Sequence, residues 1–423
     1  MVTERKLTAI AITNQFVHWF AMGLVIPVFA MFQVDRGLTL SQVGLNVAIL
    51  SIVTAVLELP TGGLSDTLGR RNVYLLSVAS QIGAALVLVV AFHPVALIIG
   101  FVFLGAARAL SSGCMDAYFV DVFNGIDTGK GLQRFLARLG AAIPLALAVG
   151  GVVGGFVADT NFMFGSPQSG VKLDQYSILF LVVVAVLAIQ VILTIVLIPG
   201  EAERPGFSGF LTGMRHVPAT VKRAYRIGVT NRVVLLLLLG TASWGVAFSA
   251  LEQYWQPFVD GLTSGDSPTR LFGFLTGGYF LVGALGALAA NGLFRMVGPR
   301  YAATVAVLRG IIGVLFVILS LSQSVAVFAI VYFALFFTNG ISSSPEQTLL
   351  NTSIPAEVRS TVLSVESLFL QAGGGIAALV WGIVSQYYSI SLAWQLSGGI
   401  FLLSGVFYLV LARGEAESSS PQP

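Results

Sequence analysis

Charge is what this sequence has least of: 10% of its 423 residues are Asp, Glu, Lys or Arg, against about a quarter in an ordinary soluble domain. So little charge cannot coat a water-facing surface, which excludes a soluble fold. Cysteine occurs once, at Cys114 inside an apolar run, so no disulfide can close within the chain. With three histidines and no Cys/His cluster at metal-ligand spacing, no metal and no cofactor is expected. Glycine-rich nucleotide loops, activated nucleophiles and acid/base pairs are also missing, which argues against an enzyme and against ATP as the energy source. The net charge is only +3 and the cations fall in loops rather than on one patch, so no nucleic acid is expected as partner.

Apolar length is what the chain has instead, with 56% hydrophobic residues and a mean hydropathy of +0.90. A bilayer is crossed by roughly twenty apolar residues in a helix. Runs of that kind lie at about 8–32, 42–64, 72–92, 95–120, 133–158, 176–198, 233–258, 271–294, 301–321, 325–349, 360–385 and 391–412. The pattern predicts an all-α membrane protein with twelve transmembrane helices. The first run is too long for a signal-peptide core and has no convincing small-residue cleavage site, so it reads as an uncleaved helix. An even number of spans puts both termini on one side. If that side is the cytoplasm, 17 of the 22 basic residues fall in cytoplasmic segments, with Arg36, Lys172 and Arg270 opposite and Arg108 and Arg309 inside spans. The positive-inside rule then orients the chain, with both termini cytoplasmic, in the cell membrane.

The longest polar stretch divides the spans six and six. The expected organisation is a six-helix bundle over residues 1–198, a cytoplasmic linker over 199–232 with Pro205, Pro218 and a basic cluster, a second six-helix bundle over 233–412, and a disordered cytoplasmic tail over 413–423. Equal halves suggest an internal duplication. The segment from Gly62 to Arg71 reads GGLSDTLGRR and that from Asn291 to Arg300 reads NGLFRMVGPR, so Leu64 matches Leu293, Gly69 matches Gly298 and Arg71 matches Arg300 at one offset. Asp116 and Glu346 correspond at an offset one residue different. The alternative is that any tight cytoplasmic turn selects Gly and Arg.

Gly62, Leu64, Asp66, Gly69, Arg70 and Arg71 fit the G-x-L-x-D-x-x-G-R-[KR] loop of the major facilitator superfamily, between spans two and three where that family has it. Leu104 and Arg108 resemble its fourth-span L-x-x-x-R pattern. Gly150, Gly151, Gly154 and Gly155 resemble a degraded form of the exporters' span-five element, with Gly151 where proline is usual. The chain is most similar to the twelve-helix drug:proton antiporters. The resemblance implies two pseudo-symmetric six-helix bundles and a conformational latch that maps to Asp66, Arg70 and Asp121. The residues alone allow a second reading of the loop. Its glycines pack and turn closely, and Arg70 and Arg71 hold it in the cytoplasm.

A charge at the bilayer centre costs about 2.5–3.5 kcal/mol on insertion scales, so intramembrane ionisable groups are functional suspects. Glu58, Arg108, Asp116, Glu252, Arg309, Glu346 and Glu366 lie in expected spans, and His18 lies in the first. In the resembled architecture spans one, four, seven and ten line a central cavity, which implies His18, Arg108, Asp116, Glu252 and Glu346 along it. Asp116, Glu346 and Glu252 are the proton-coupling candidates, because apolar surroundings favour a carboxylic acid's neutral form and a carrier must be charged in one state and neutral in another. Pairing of Asp116 or Glu346 with Arg134, Arg138 or Arg359 is the alternative. Glu252 beside Tyr254 and Trp255 reads equally as an interfacial anchor. Glu58 and Glu366 are on spans two and eleven, where a gating contact competes with a plain hydrogen bond. Arg108 is two helical turns from Asp116, about 12 Å, so its counter-charge must come from elsewhere. His18 beside Trp19 reads as a packing residue or as a titrating one. Trp19, Tyr118, Trp244, Phe248, Tyr254 and Phe336 complete the candidate substrate cavity, suited to flat, lipophilic or cationic molecules.

These features favour a secondary transporter that exports small, mostly hydrophobic compounds in exchange for protons by alternating access, as a monomer in contact with lipid. A proton-coupled symporter or facilitator importing a small metabolite keeps the same fold. A non-transporting receptor or assembly factor is the reading from another class.

Overall fold

Each long apolar run becomes a helix, since in lipid a helix satisfies every backbone N–H and C=O within its own segment. The computed structural model describes residues 3–112, 114–126, 131–160, 163–164, 172–200, 231–265, 267–298, 300–354 and 359–419. In chain order its helices are α1 (Glu4–Val25), the short α2 (Met31–Asp35), α3 (Leu40–Leu68), α4 (Arg70–Val89), α5 (Pro94–Ser111), α6 (Cys114–Ile126), α7 (Leu132–Ala158) and α8 (Gln175–Leu197). They continue with α9 (Arg232–Leu262), α10 (Thr269–Val297), α11 (Tyr301–Ser320), α12 (Val325–Ser353), α13 (Arg359–Tyr387) and α14 (Ile390–Ser419). Among the described residues, twelve helical segments are long and apolar enough to cross a membrane.

Three details depart from the hydropathy pattern. Span four, Pro94–Ile126, is two helices. After α5 the backbone leaves helical geometry at Ser112 (φ −54°, ψ 115°), in a Ser111-Ser112-Gly113 run of poor helix formers. Helix α14 carries on to Ser419 through a Glu-Ala-Glu stretch that favours helix, where the sequence reads as a disordered tail from residue 413. Between α7 and α8, β1 (Met163–Phe164) and β2 (Leu173–Asp174) pair antiparallel. Most of the expected linker, residues 201–230, lies outside the described residues.

The two loops matched in sequence are matched in backbone. Gly69 and Gly298 both have φ +80°, a conformation that costs an L side chain about 1–2 kcal/mol and glycine nothing. The interior is inverted relative to a soluble protein. Gln190 and Arg309 are 0% exposed while Val196 and Leu288 are each 72% exposed, which is the arrangement expected of helices in hydrocarbon.

The chain forms two compact units, Met1–Leu38 with Ile49–Val217 and Pro268–Phe280, and Thr39–Ala48 with Pro218–Ser267 and Leu281–Pro423. Within the first, α1 lies so close to α7 that a methyl group on Gly154 would overlap the Leu24 backbone. Ser77 on α4 donates to the Ala107 carbonyl on α5 (2.8 Å). The start of α10 belongs here too, where Thr269 donates to the Gly155 carbonyl (2.9 Å). Within the second unit, Trp381 and Trp394 donate their indole N–H groups to the α9 carbonyls of Val246 (2.8 Å) and Ala250 (3.0 Å). The first turns of α3 pack on α13, with the Leu40 N–H on Gln386 Oε1 (2.9 Å) and Gly44 against Ala378.

Arg36, between α2 and α3, is a buried knot in the first unit. Its guanidinium forks onto Asp174 (2.8 and 3.0 Å) and also donates to the carbonyls of Leu88 (2.5 Å) and Ala91 (3.1 Å) and to Ser177 Oγ (3.2 Å). Phe92 lies 4.4 Å from its charge. Asp174 caps α8 in a box with Ser177. Burial alone would raise its carboxyl, but the hydrogen bond and charge of Arg36, with the Ser177 N–H and hydroxyl, outweigh that and hold it below the usual carboxylate range.

Candidate transport site

Asp116 stands in the first turn of α6, just past the break in span four, where the helix N-terminus favours a negative charge by about 0.3–2 kcal/mol. Its side chain is exposed and, among the described residues, no cation pairs with it. Its partner is Gln15 on α1, whose Nε2 donates to Asp116 Oδ1 at 2.5 Å. Gln15 Oε1 in turn accepts the Trp19 indole N–H at 3.0 Å, a bond between residues one helical turn apart. The amide is thereby oriented, nitrogen to the acid and oxygen to the indole. His18 is buried, edge-on to Trp19 (5.4 Å) and tilted against Tyr74 (5.7 Å), and its Nδ1 has no hydrogen-bond partner. Gln190 on α8 donates to Tyr74 Oη (2.8 Å), and Asn14 on α1 to Thr194 on α8 (3.2 Å).

The other candidates of this unit are more dispersed. Arg108 is exposed on α5, and Tyr118 is buried against Phe119. Glu58 on α3 accepts from Ser112 Oγ at 3.0 Å, so the broken span is tied to the neighbouring helix at the break. Arg70 pairs with Asp121 at 2.5 Å, while Arg71 donates to the Ile195 carbonyl at 3.2 Å. The surroundings of Gly62 and of the Asp66 side chain lie outside the described residues.

The acid of the second unit that matches Asp116 in sequence has different company. Glu346 on α12 receives a fork from Arg309 on α11, Nη2 to Oε2 at 2.9 Å and Nε to Oε1 at 3.3 Å, and Ser342 adds a third bond to Oε1 at 2.6 Å. Arg309 is 0% exposed. Its Nη1 donates to the Gly240 carbonyl (3.1 Å) and Ser404 Oγ (2.8 Å), and the rings of Phe401 and Tyr408 lie 4.8 and 4.6 Å from its charge. Sequence reasoning offered Arg134, Arg138 and Arg359 as partners and gave Arg309 no role. The available signal was its own place in an apolar span, which requires an acid on a neighbouring helix.

Glu366 on α13 is half-buried and accepts two long bonds, from Thr241 Oγ1 and Gln347 Nε2, both at 3.4 Å. Trp244 on α9 donates to Asn339 Oδ1 on α12 (2.9 Å) and stacks on Phe248 (4.6 Å, 15°). Phe248 and Tyr254 are both 0% exposed and Phe336 8%: Phe336 contacts Phe248 (5.9 Å), and the Tyr254 hydroxyl donates to the Leu40 backbone carbonyl (3.4 Å). Glu252 is exposed on α9. Among the described residues, no three His, Cys, Asp or Glu side chains converge as metal ligands.

Twelve spanning helices with hydrogen-bonded acids and amides set among them define a multi-pass membrane transporter. The family model of the Major Facilitator Superfamily matches residues 11–378, and the chain belongs to that family. It is 21% identical over 248 residues to an uncharacterised MFS-type transporter, YxaM, of Bacillus subtilis (strain 168), a match that spans 57% of this chain and 56% of the relative. Two solved structures share the fold. An auto-inhibited peptide transporter of the POT family superposes with a TM-score of 0.70 at 13% identity, over 96% of each chain. The nucleoside transporter NupG gives 0.66 at 13% identity, over 98% of this chain and 99% of its own.

Proposed function

We propose that this transporter exports small, mostly hydrophobic compounds in exchange for protons by alternating access, with Asp116 as the acid that loads and releases H⁺. One observation carries the reading: Asp116 is an accessible carboxylate within a span, free of cation partners among the described residues, and bonded through Gln15 to Trp19. A bond from an amide to a carboxylate is roughly twice as strong as one to the neutral acid. Protonation therefore loosens Gln15 and with it the indole that would meet a lipophilic substrate. The charge differs between the two access states, which is what biases one against the other. The reading makes the Arg70–Asp121 pair, with Asp66, a cytoplasmic latch, and Glu58 and Glu366 contacts that change as the halves rock. It also makes the protein a monomer of the cell membrane with both termini in the cytoplasm.

The second reading is a proton-coupled symporter or facilitator for a polar metabolite. The polar groups Asn14, Gln15 and Gln190 around α1 favour it, and the solved relatives are named for nucleosides and peptides. Purified protein in liposomes with an imposed pH gradient, offered lipophilic dyes, antibiotics, nucleosides and short peptides, separates the two. Exchange of H⁺ against a dye or antibiotic supports the exporter, co-movement with a nucleoside or peptide supports the symporter, and silence with all of them overturns both. In the active case, Asp116→Asn should abolish coupled movement while leaving membrane insertion intact.

A further inference from the structure

We infer that the second unit holds its own proton-binding site at Glu366, and that Arg309 excludes Glu346 from that role. The inference rests on the proton-coupled reading above and adds to it a site in the other half of the chain. It starts from the acceptors of Glu346. Both of its oxygens are taken by one guanidinium, and Oε1 takes the Ser342 hydroxyl as well. A proton on Glu346 would strip Arg309, charged and fully enclosed, of the carboxylate onto which its Nε and Nη2 fork, and arginine does not give up its own proton in proteins. Glu346 is therefore the fixed counterion of a structural pair.

Glu366 has none of this. Only Oε1 is engaged, by two neutral donors at 3.4 Å, and Oε2 accepts nothing from the described residues. Oε2 is thus the free position for a proton. Glu346 on α12 lies close enough to act on it electrostatically, and Tyr408 on α14 feels both acids and Arg309 on α11. From α9 the neutral Thr241 hydroxyl reaches Glu366. Among the described residues two acids share one cation, so this cluster is neutral when Glu366 carries a proton and anionic when it does not. Gln347 directly follows Glu346 in α12 and bonds Glu366 on α13, so loss of that proton changes a contact between the two helices.

The test needs no known substrate. Infrared difference spectra of the lipid-reconstituted full chain, recorded along a pH titration, follow the C=O band of protonated carboxyl groups. The Glu366→Gln variant should lose one titrating band, whereas the double variant Arg309→Met/Glu346→Leu should keep it. Gln347→Leu, which retains the acid, should move the band rather than remove it, and it provides the readout if Glu366→Gln does not fold. A band unchanged in Glu366→Gln, or lost in the double variant, or unmoved in Gln347→Leu, overturns the inference. Asp116→Asn run alongside separates the two proposals. If its band disappears while Glu366→Gln changes nothing, only the second site fails. If neither variant alters the titration, proton coupling through these acids fails as a whole.

Discussion

A charged side chain that is fully enclosed is held by every bond it makes, so single residues carry large effects here. Breaking a buried ion pair from one side costs about 3–5 kcal/mol, while replacing both partners with apolar groups is often neutral. Arg309→Met alone should therefore lower thermal stability sharply in detergent, and adding Glu346→Leu should restore most of it. The strong coupling of that double-mutant cycle would be absent if the pair were ornamental. Asp174 gives a pH effect with a defined sign. Its carboxyl is held below the ordinary value of about 3.9, so its share of stability is complete above that value and is lost as pH falls through the folded-state pKa. The melting temperature of the native chain should drop more steeply below about pH 4 than that of Asp174→Asn, which should already be lower at neutral pH.

At the scale of the helix, contact distance decides what a position tolerates. A methyl group on Gly44 would overlap the Ala378 carbonyl in the α3–α13 seam. Gly44→Ala should cost about 1–3 kcal/mol by overpacking, read as a fall in melting temperature. Gly292 on α10 meets nothing within 4 Å, so Gly292→Ala should be neutral or should gain up to about 1 kcal/mol of helix propensity. The same scale explains the broken span four. Ser111, Ser112 and Gly113 are poor helix formers, and the Ser112 hydroxyl donates across to Glu58 while its N–H still closes the last turn of α5 on the Arg108 carbonyl (3.1 Å). The two matching acids consequently stand on unlike elements, Asp116 at the start of a short helix and Glu346 inside a continuous one, directly after Pro345.

For the whole molecule, the features legible in the sequence are those written along one axis. Span number and position follow from run length. The repeated turn shows in Gly69 and Gly298, since a turn that needs positive φ selects glycine wherever it recurs. Partners across helices were illegible in hydropathy, and Arg70 met Asp121 on paper only through the family resemblance. Arg309 and Glu346 are 37 residues apart, and hydropathy does not encode which way each helix is rotated. Hydropathy is equally silent on which rings are enclosed, and Phe248 and Tyr254 are both 0% exposed. If the duplication reflects two self-sufficient bundles, residues 1–198 and 233–423 produced as separate chains should co-purify, and failure to do so would make the linker essential to assembly. The Arg36 knot also has a consequence in time. Its acid arrives 138 residues later, which at ribosomal rates of about 5–20 residues per second is a wait of roughly 7–30 s. Throughout that interval the guanidinium must stay hydrated or be sheltered by the insertion machinery, so nascent chains that stall before Asp174 are the ones a membrane protease should clear first.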